Sequence, residues 1–551
     1  MTPPPLPKAR ELFLQSLRDC AQHSLAKSQR WSHWRLHDLV MQCAAELRVD
    51  PDTLWFLIGD VRDWNPRESY KSIKDDWDSI LADAPGSSRR RIVVLVPDGQ
   101  SIRTFLYTDV LKEMCGWADV IVLSPLDIGS KVAALGPNAL FLPVPNIRRN
   151  RFDVLMGYLG YLHTGSPTTQ RFTLRLDEQL DKALQQQVPL ETPMRLWQIG
   201  KALSSEADYI RSYCWSLRFF AHLNVLAGPV RLLRRLKPDL VFNTNSVPWP
   251  TRPWTRAAAL AGVPVVSNVI SWDNMSTKTL LDEFAETYLI WSDEMDEDFE
   301  TTVPFLRDVP RVIVGSPQFE PIIQGRGLVP RAQFLHSHGL DPDKKLVLYT
   351  TGSKTLFPRE AECLDALLSH WREHMEQRVN IMVRMHPKDR EGRYEAVREK
   401  FPEVPFTLAG PTLTEQDDWV PTEDDIALLV NQLNHCDVVV NVASTMTLEG
   451  FSVDKPSINI GFTLGLSISQ RYPMEDYYKS RHYREIIDTG AARWVANYEE
   501  LFAALDDVLD NGTYDVQKQR RVLHMKCRHI EDSSKRINAF LSDFTARAKP
   551  A

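Results

Sequence analysis

Short apolar runs rich in valine, isoleucine and leucine alternate with stretches of helical periodicity from residue 92 onward. Such runs are typical of strands buried in a parallel sheet, and the stretches between them are typical of crossover helices. The first series of predicted strands comprises 92–96, 120–123, 139–142, 240–242, 263–266, 288–291 and 311–314. The second series comprises 346–349, 380–383, 438–441, 457–460 and 494–495. The alternation predicts an α/β protein with two doubly wound, Rossmann-like domains.

The two ends of the chain show helical periodicity without strand alternation. Apolar residues such as Phe13, Leu17 and Cys20 recur at helical spacing, and a Pro-Gly-Ser-Ser breaker stands just before the first predicted strand. The residues after about 498 also have a helical pattern. We therefore expect four segments, which are a helical N-terminal extension at 1–88, Rossmann-like domains at 89–325 and 326–500, and C-terminal helices at 501–551.

Composition and charge narrow the class of protein. The 551 residues are 43% hydrophobic and 25% charged, which is typical of an ordinary globular protein. A net charge of −7 disfavours nucleic-acid binding, because no overall positive field would attract a phosphate backbone. The seven cysteines are scattered without a Cys-x-x-Cys pair, so neither a disulfide framework nor a zinc site is predicted. With no secretory signal and no long apolar run, we expect a cytoplasmic protein.

Three polar loops follow predicted strands of the second domain. In open α/β sheets, ligands bind beyond the carboxyl ends of the strands, where backbone N–H groups converge. The first loop supplies hydroxyls, a glycine and an ammonium group. The second loop supplies a guanidinium and an imidazole. The third loop supplies two hydroxyls at a predicted helix start. Together they predict a cradle for a diphosphate, formed by Thr351, Gly352, Ser353, Lys354, Arg384, His386, Pro387, Ser444 and Thr445.

Glu449 follows Thr445 by one helical turn, so it is placed to reach a ribose hydroxyl of a bound nucleotide. Each of these features also has a purely structural interpretation. In that interpretation, Glu449 is a carboxylate that stabilises the first turn of a helix, and Ser444 or Thr445 caps that helix. Gly352 then serves only to form a turn. It is the convergence of three loops in one domain that favours the ligand site.

Three motifs of the second domain resemble a known family. The sequence contains Arg-x-His-Pro at 384–387, Cys-Asp-Val-Val-Val-Asn-x-x-Ser-Thr-x-x-x-Glu-Gly at 436–450, and Asp-Lys-Pro-Ser-Ile-Asn-Ile at 454–460. This pattern resembles GT-B glycosyltransferases, and within them the group of CDP-glycerol glycerophosphotransferases, bacterial polysialyltransferases and capsule Kdo transferases. The resemblance implies two domains facing a cleft, with the acceptor on the first and the donor on the second. It also implies that His386, Ser444 and Thr445 hold the donor phosphates.

The first domain is similar to the same class through Ser-Trp-Asp-Asn at 271–274. Transfer with inversion needs a base for the acceptor hydroxyl, and Asp273 is the first candidate. Asp98, which follows the first strand, is the second candidate; an Asx turn or helix cap is the alternative interpretation of both. We assign acceptor contacts to Trp249, Arg252 and Asn274, although tryptophan beside proline is also common in plain packing.

An Asp-x-Asp at 296–298 resembles the metal-binding motif of GT-A transferases. It follows a predicted strand and a serine at the predicted N-cap, Ser292, so we interpret it as the acidic first turns of a helix. We expect no metal and no cofactor.

The resulting prediction is a metal-independent glycosyltransferase that moves a sugar or related group to a surface polysaccharide or glycoconjugate. Its expected partners are a CMP-, CDP- or UDP-linked donor and a saccharide or lipid-linked acceptor. The alternatives are a nucleotide-sugar 2-epimerase, whose Ser-Gly-Gly-x-Gln-Glu-Glu pattern is absent at 444–450, and a non-catalytic nucleotide-binding scaffold. Basic stretches at 89–91, 231–237 and 518–521 would suit peripheral contact with the inner membrane face, but we favour ordinary solvated surface.

Overall fold

The computed structural model describes a large part of the chain, namely residues 7–26, 33–58, 77, 81, 88–145, 205–222, 226–247, 249–277, 283–303, 306–352, 357, 359–387, 392–408, 419–462 and 475–547. Its strands are β1 (Arg90–Leu95), β2 (Ala118–Ser124), β3 (Ala139–Pro143), β4 (Leu240–Asn243), β5 (Val265–Asn268), β6 (Thr287–Ile290), β7 (Arg311–Ile313), β8 (Lys345–Thr350), β9 (Val379–Met385), β10 (Phe406–Leu408), β11 (Val438–Asn441), β12 (Ser457–Ile460) and β13 (Arg493–Val495).

The α-helices are α1 (Pro7–Ala26), α2 (His33–Leu47), α3 (Pro51–Ile58), α4 (Gly99–Ser101), α5 (Asp109–Trp117), α6 (Gly129–Ala133), α7 (Glu206–His222), α8 (Ala227–Leu236), α9 (Arg252–Ala261), α10 (Asn274–Thr277), α11 (Asp293–Thr302), α12 (Glu320–Ile323), α13 (Arg331–Ser337), α14 (Glu360–His374), α15 (Glu395–Lys400), α16 (Glu423–His435), α17 (Met446–Phe451), α18 (Glu475–Tyr478), α19 (Arg481–Asp488), α20 (Tyr498–Asn511), α21 (Val516–Lys526) and α22 (Ser533–Arg547). A π-helical turn spans Ile102–Leu106, and 3₁₀ turns span Trp249–Thr251 and Pro317–Phe319.

The chain forms two compact units. Unit 1 takes the described residues within Met1–Pro97, Val110–Val314 and Lys535–Ala551, and unit 2 takes those within Asp98–Asp109 and Gly315–Ser534. The segment Asp98–Asp109, which follows β1 in sequence, therefore belongs to unit 2. The domain limits expected from the sequence stay predictions.

Each unit contains one parallel sheet. The sheet of unit 1 has seven strands in the order β3-β2-β1-β4-β5-β6-β7, and the sheet of unit 2 has six in the order β10-β9-β8-β11-β12-β13. Every pairing is parallel, with Val94 opposite Val122 and Phe242 as an example of the register in unit 1. In both sheets the order reverses beside the first strand, which is the arrangement of a Rossmann-like fold. The predicted α/β class with two doubly wound domains is confirmed.

Burial explains why these runs form strands. All four residues of β4, β5, β6, β11 and β12 are buried, as expected where helices cover both faces of a parallel sheet. The structure adds β10, a three-residue edge strand that was not predicted from the sequence. It also divides the predicted C-terminal helix after residue 516 into α21 and α22.

The N-terminal helices belong to the core of unit 1. Helices α1 and α2 pack against α7, and α1 also packs against α9. Phe13 and Leu17 of α1 are buried in the same hydrophobic cluster as Val93 of β1 and Trp254 of α9. Among the described residues, no helix is long and apolar enough to cross a membrane.

A buried ion pair links α9 to the entry of β6 in unit 1. Arg256 Nε donates to Glu283 Oε1 at 2.8 Å, and both side chains are at most 1% exposed. Burial alone would raise the pKa of the Glu283 carboxyl, but the Arg256 and Arg252 guanidinium groups hold it below its ordinary value. The carboxylate is therefore kept charged inside the core, where its loss would leave arginine charge uncompensated.

We predict that Glu283→Ala destabilises unit 1 by about 3–5 kcal/mol, because it breaks a buried pair and leaves a cation behind. The measurement is urea denaturation followed by tryptophan fluorescence and circular dichroism. Asp543→Ala is the control, since Asp543 and Arg547 form a pair whose side chains are 72% and 82% exposed. Equal midpoints for the two variants would contradict a structural role for the buried pair.

Candidate functional site

The three polar loops predicted from the sequence follow adjacent strands of unit 2. Strands β9, β8 and β11 are neighbours in the sheet and run parallel, so their carboxyl ends lie at one edge. The first two loops are joined directly, because the Thr351 N–H donates to the Arg384 carbonyl at 2.9 Å and the His386 N–H donates to Thr351 Oγ1 at 2.8 Å. Pro387 follows His386, and both are half-buried. Ser353 and Lys354 lie outside the described residues.

The loop after β8 is anchored by Glu360, the first residue of α14. The Gly352 N–H donates to both carboxylate oxygens of Glu360, at 3.0 and 2.9 Å. Arg393 Nη2 and the hydroxyls of Tyr349 and Tyr394 donate to the same carboxylate at 2.9–3.2 Å. The Gly352 N–H is thus directed at a protein carboxylate, and contact between Gly352 and a donor stays a prediction.

Glu360 is completely buried, and this burial raises the pKa of its carboxyl to about 7 against the opposing effect of Arg393. A buried carboxylate remains tolerable only when hydrogen bonds and a cation compensate it. Sequence reasoning missed Glu360, because a glutamate in a first helical turn is common for electrostatic reasons alone.

A second buried carboxylate, Glu449, lies on α17 after β11. Its Oε1 accepts hydrogen bonds from Arg103 Nη2 at 2.6 Å and from Gln318 Nε2 at 3.3 Å. The Glu449 side chain is 1% exposed, and its Oε2 finds no hydrogen-bond donor among the described residues. Leaving a buried acceptor without a hydrogen bond costs about 1–3 kcal/mol of stability. A hydrogen bond donated by a ligand hydroxyl would remove this cost at Oε2.

Two arginines, Arg103 and Arg384, lie near the Glu449 carboxylate. Arg384 is buried, and its Nη1 donates to Gln432 Oε1 at 2.8 Å. Burial and the charge of Arg103 lower the pKa of Arg384 to about 10, while Glu449 acts in the opposite direction. Arg384 is therefore still cationic at neutral pH. Arg103 was not found from the sequence, because it lies 346 residues before Glu449 and no local pattern connects them.

The loop after β11 carries Ser444 and Thr445. Helix α17 begins at Met446 with Thr445 at its N-cap position. Ser444 Oγ accepts the Met446 N–H at 3.2 Å, and the Ser444 carbonyl accepts the Thr447 N–H at 3.1 Å. Ser444 thus contributes a local turn at the helix start, as the structural interpretation of the motif expected. Contact with phosphate stays a prediction for both residues.

The catalytic candidates are held by local hydrogen bonds. Asp98 caps α4 within unit 2, because its Oδ1 accepts the Ser101 N–H at 2.8 Å. In unit 1, one Asp273 carboxylate oxygen accepts from the Ser271 hydroxyl and the other from the Thr277 hydroxyl at 3.0 Å. Asp273 is half-buried, and its carbonyl accepts the Ser276 and Thr277 N–H groups where the chain turns into α10. A role as base stays a prediction for both aspartates.

The predicted acceptor residues lie in different surroundings within unit 1. Arg252, at the start of α9, is 4% exposed and close enough to lower the pKa of Glu283. Asn274 begins α10 and is 6% exposed. Trp249 begins a 3₁₀ turn, but its side chain lies outside the described part of the chain. The Asp-x-Asp segment forms the first turns of α11, and Ser292 caps it by accepting the Met295 N–H.

No protein-family model matches the chain, and no curated protein matches it. Several solved structures resemble the chain at low sequence identity, with TM-scores below 0.5. The UDP-GlcNAc 2-epimerase from Neisseria meningitidis, bound to UDP-GlcNAc, has a TM-score of 0.47 at 9% identity, covering 82% of this chain and 100% of that chain. A glycosyltransferase from Rickettsia africae has a TM-score of 0.46 at 11% identity, with coverages of 84% and 100%.

HepE from Anabaena, in complex with UDP-glucose, has a TM-score of 0.43 at 11% identity, covering 82% of this chain and 99% of that chain. Because these TM-scores are below 0.5, no residue role is transferred from those proteins to this chain.

We predict that Glu360→Ala lowers the melting temperature by several degrees. The variant removes the shared acceptor of Gly352, Tyr349 and Tyr394 and leaves the buried Arg393 without its carboxylate partner, a loss of about 3 kcal/mol or more. Glu360→Gln keeps one acceptor oxygen and should have a smaller effect. Glu362→Ala is the matched control, two residues along the same helix and 55% exposed. Similar melting temperatures for the two alanine variants in calorimetry would refute the anchoring role.

Proposed function

We propose that this protein is a glycosyltransferase that takes a sugar or related group from a nucleotide-activated donor. The observation that carries the proposal is Glu449 Oε2, a buried acceptor without a protein donor among the described residues, on the helix that follows β11. It lies beside the point where the strand order of the unit 2 sheet reverses, which is where open α/β sheets bind ligands. A ribose hydroxyl directed at Oε2 would satisfy it.

The donor phosphates would bind at the neighbouring loops. Arg384 remains charged at neutral pH, and His386 follows it at the same edge of the sheet. The hydroxyls of Ser444 and Thr445 lie on the adjacent loop. Positive charge and hydrogen-bond donors would stabilise the negative charge that develops on the departing nucleotide. The sequence motifs at 384–387 and 436–450, which resemble those of surface-carbohydrate GT-B enzymes, support the same assignment.

The acceptor step needs a general base. In the proposed reaction, Asp273 takes the proton of an acceptor hydroxyl, and the freed oxygen attacks the anomeric carbon of the donor. The bond between that carbon and the phosphate oxygen breaks, and the nucleotide leaves with the bonding electrons. Two hydroxyl groups donate hydrogen bonds to the Asp273 carboxylate and fix its orientation.

The proposed acceptor class is the one implied by the resemblance of the sequence motifs to surface-carbohydrate GT-B enzymes. We propose a saccharide or lipid-linked saccharide of a bacterial surface polysaccharide, with the reaction in the cytoplasm. The proposed donor is linked to CMP, CDP or UDP. Transfer requires an acceptor, whereas a 2-epimerase would convert the nucleotide sugar alone, so product analysis with and without acceptor separates the two functions.

We predict that one nucleotide of a panel of CMP, CDP, UDP, GDP and ADP raises the melting temperature, because a ligand that binds only the native state stabilises it. Glu449→Gln and His386→Ala should each weaken that nucleotide about tenfold in calorimetric titration, a loss of about 1.4 kcal/mol. Glu403→Gln, a change in a partly exposed carboxylate paired with Arg372, is the control. Unchanged affinity in both site variants would rule out the proposed cradle.

We predict that Asp273→Asn leaves nucleotide affinity unchanged and lowers the transfer rate by about 100-fold or more, the usual contribution of a general base. The variant keeps the size of the side chain and one acceptor oxygen, so the hydrogen bond from Thr277 or Ser271 is retained in part. The measurement is product formation from radiolabelled donor with an acceptor library. A fully active Asp273→Asn variant would transfer the assignment of the base to Asp98.

A further inference from the structure

The loop between β11 and α17 has an unusual backbone. Ala443 has φ = +34°, on the positive side that residues with a Cβ rarely adopt. The residue directly precedes Ser444 and Thr445, two of the proposed donor ligands. Because an alanine in this conformation is strained, surrounding contacts must hold it there.

Tyr478 supplies one of these contacts. Its hydroxyl accepts the Ala443 N–H at 3.0 Å and donates to the Ile460 carbonyl at 2.7 Å. The Tyr478 side chain, at the end of α18, is 4% exposed. One buried hydroxyl thus fastens the loop to the carboxyl end of β12.

Tyr483 supplies the next contact. Its hydroxyl donates to Asn459 Oδ1 at 3.2 Å and lies 2.8 Å from Thr447 Oγ1. Burial raises the pKa of Tyr483, and the nearby Ser444 backbone opposes that shift. Tyr483 is fully buried on α19, and its ring meets the Tyr478 ring edge to face at 5.2 Å between centroids. The Tyr478 hydroxyl therefore binds the Ala443 N–H, and the Tyr483 hydroxyl contacts Thr447, whose N–H donates to the Ser444 carbonyl.

Behind Tyr483 lies a rigid polar network. Thr447 Oγ1 is hydrogen-bonded to Asn441, Asn459 and Ser457, all of them buried. A fully hydrogen-bonded network of this kind has one favourable arrangement, so it defines where the Tyr483 hydroxyl lies.

We propose that Tyr478 and Tyr483 are positioning residues that hold the Ala443–Ser444 backbone in the conformation that presents Ser444 and Thr445 to the donor phosphates. The ligand named in this inference rests on the proposed function. The role of the two hydroxyls in holding the loop does not depend on it. Without the two hydroxyls, Ala443 would relax toward negative φ, and the peptide between Ala443 and Ser444 would rotate away from its present orientation.

The test uses Tyr478→Phe, Tyr483→Phe and the double variant in the full chain. Phenylalanine keeps the ring packing and removes only the hydroxyl. Hydrogen–deuterium exchange of the Ala443 and Ser444 amides should accelerate by about tenfold or more, as local protection is lost. The dissociation constant of the nucleotide should rise about three- to tenfold in the single variants and further in the double variant. Tyr514→Phe is the control, because Tyr514 is 42% exposed and lies outside the loop.

A rescue variant separates positioning from direct contact with the ligand. Glycine adopts positive φ without strain, so adding Ala443→Gly to Tyr478→Phe should restore much of the lost nucleotide affinity. Failure of this rescue, or unchanged affinity in the double phenylalanine variant, would overturn the positioning role. Unchanged amide exchange would overturn the fastening of the loop itself. If the unmodified protein binds none of the nucleotides, the proposed function fails, and the exchange rates alone still decide whether the hydroxyls hold the loop.

Discussion

The reversal of strand order in the sheet of unit 2 is the constraint on which the candidate site depends. From β8 the chain moves outward to β9 and β10, and then returns to the other side of β8 as β11. The connections that leave β8 and β11 therefore diverge, and in open α/β sheets this point at the carboxyl edge is where ligands bind. Thr351, Ser444 and Glu449 all follow these two strands, so the topology alone brings them to one edge.

A layer of buried polar groups holds the loops of this edge. Glu360 anchors the loop after β8 through the Gly352 N–H. Tyr478 anchors the loop after β11 through the Ala443 N–H, and Tyr483 contacts the same segment through Thr447 Oγ1. Buried polar groups are unfavourable unless they are hydrogen-bonded, and these groups satisfy one another. Glu449 differs, because one of its oxygens is buried without a hydrogen-bond donor in the described part of the chain.

The sequence predicted most of the fold because the strands of a parallel sheet are continuous apolar runs. Val438–Asn441 and Ser457–Ile460 were recognised in this way, whereas the three-residue edge strand Phe406–Leu408 is too short to give such a signal. The three polar loops were also recognised, since each directly follows a strand. The contacts of Arg103 and Glu360 were not, because they join residues that no periodic pattern relates. Arg252 was assigned to the acceptor from its neighbours in sequence, and it lies buried near Glu283.

The central claim is that a nucleotide binds at the carboxyl edge of β8, β9 and β11. The most direct measurement is a crystal structure of the protein with the nucleoside phosphate that it binds most tightly. We expect the phosphates beside His386 and Ser444, and a ribose hydroxyl within hydrogen-bond distance of Glu449 Oε2. A nucleotide bound elsewhere on the protein, with Glu449 Oε2 making no contact to it, would contradict the claim.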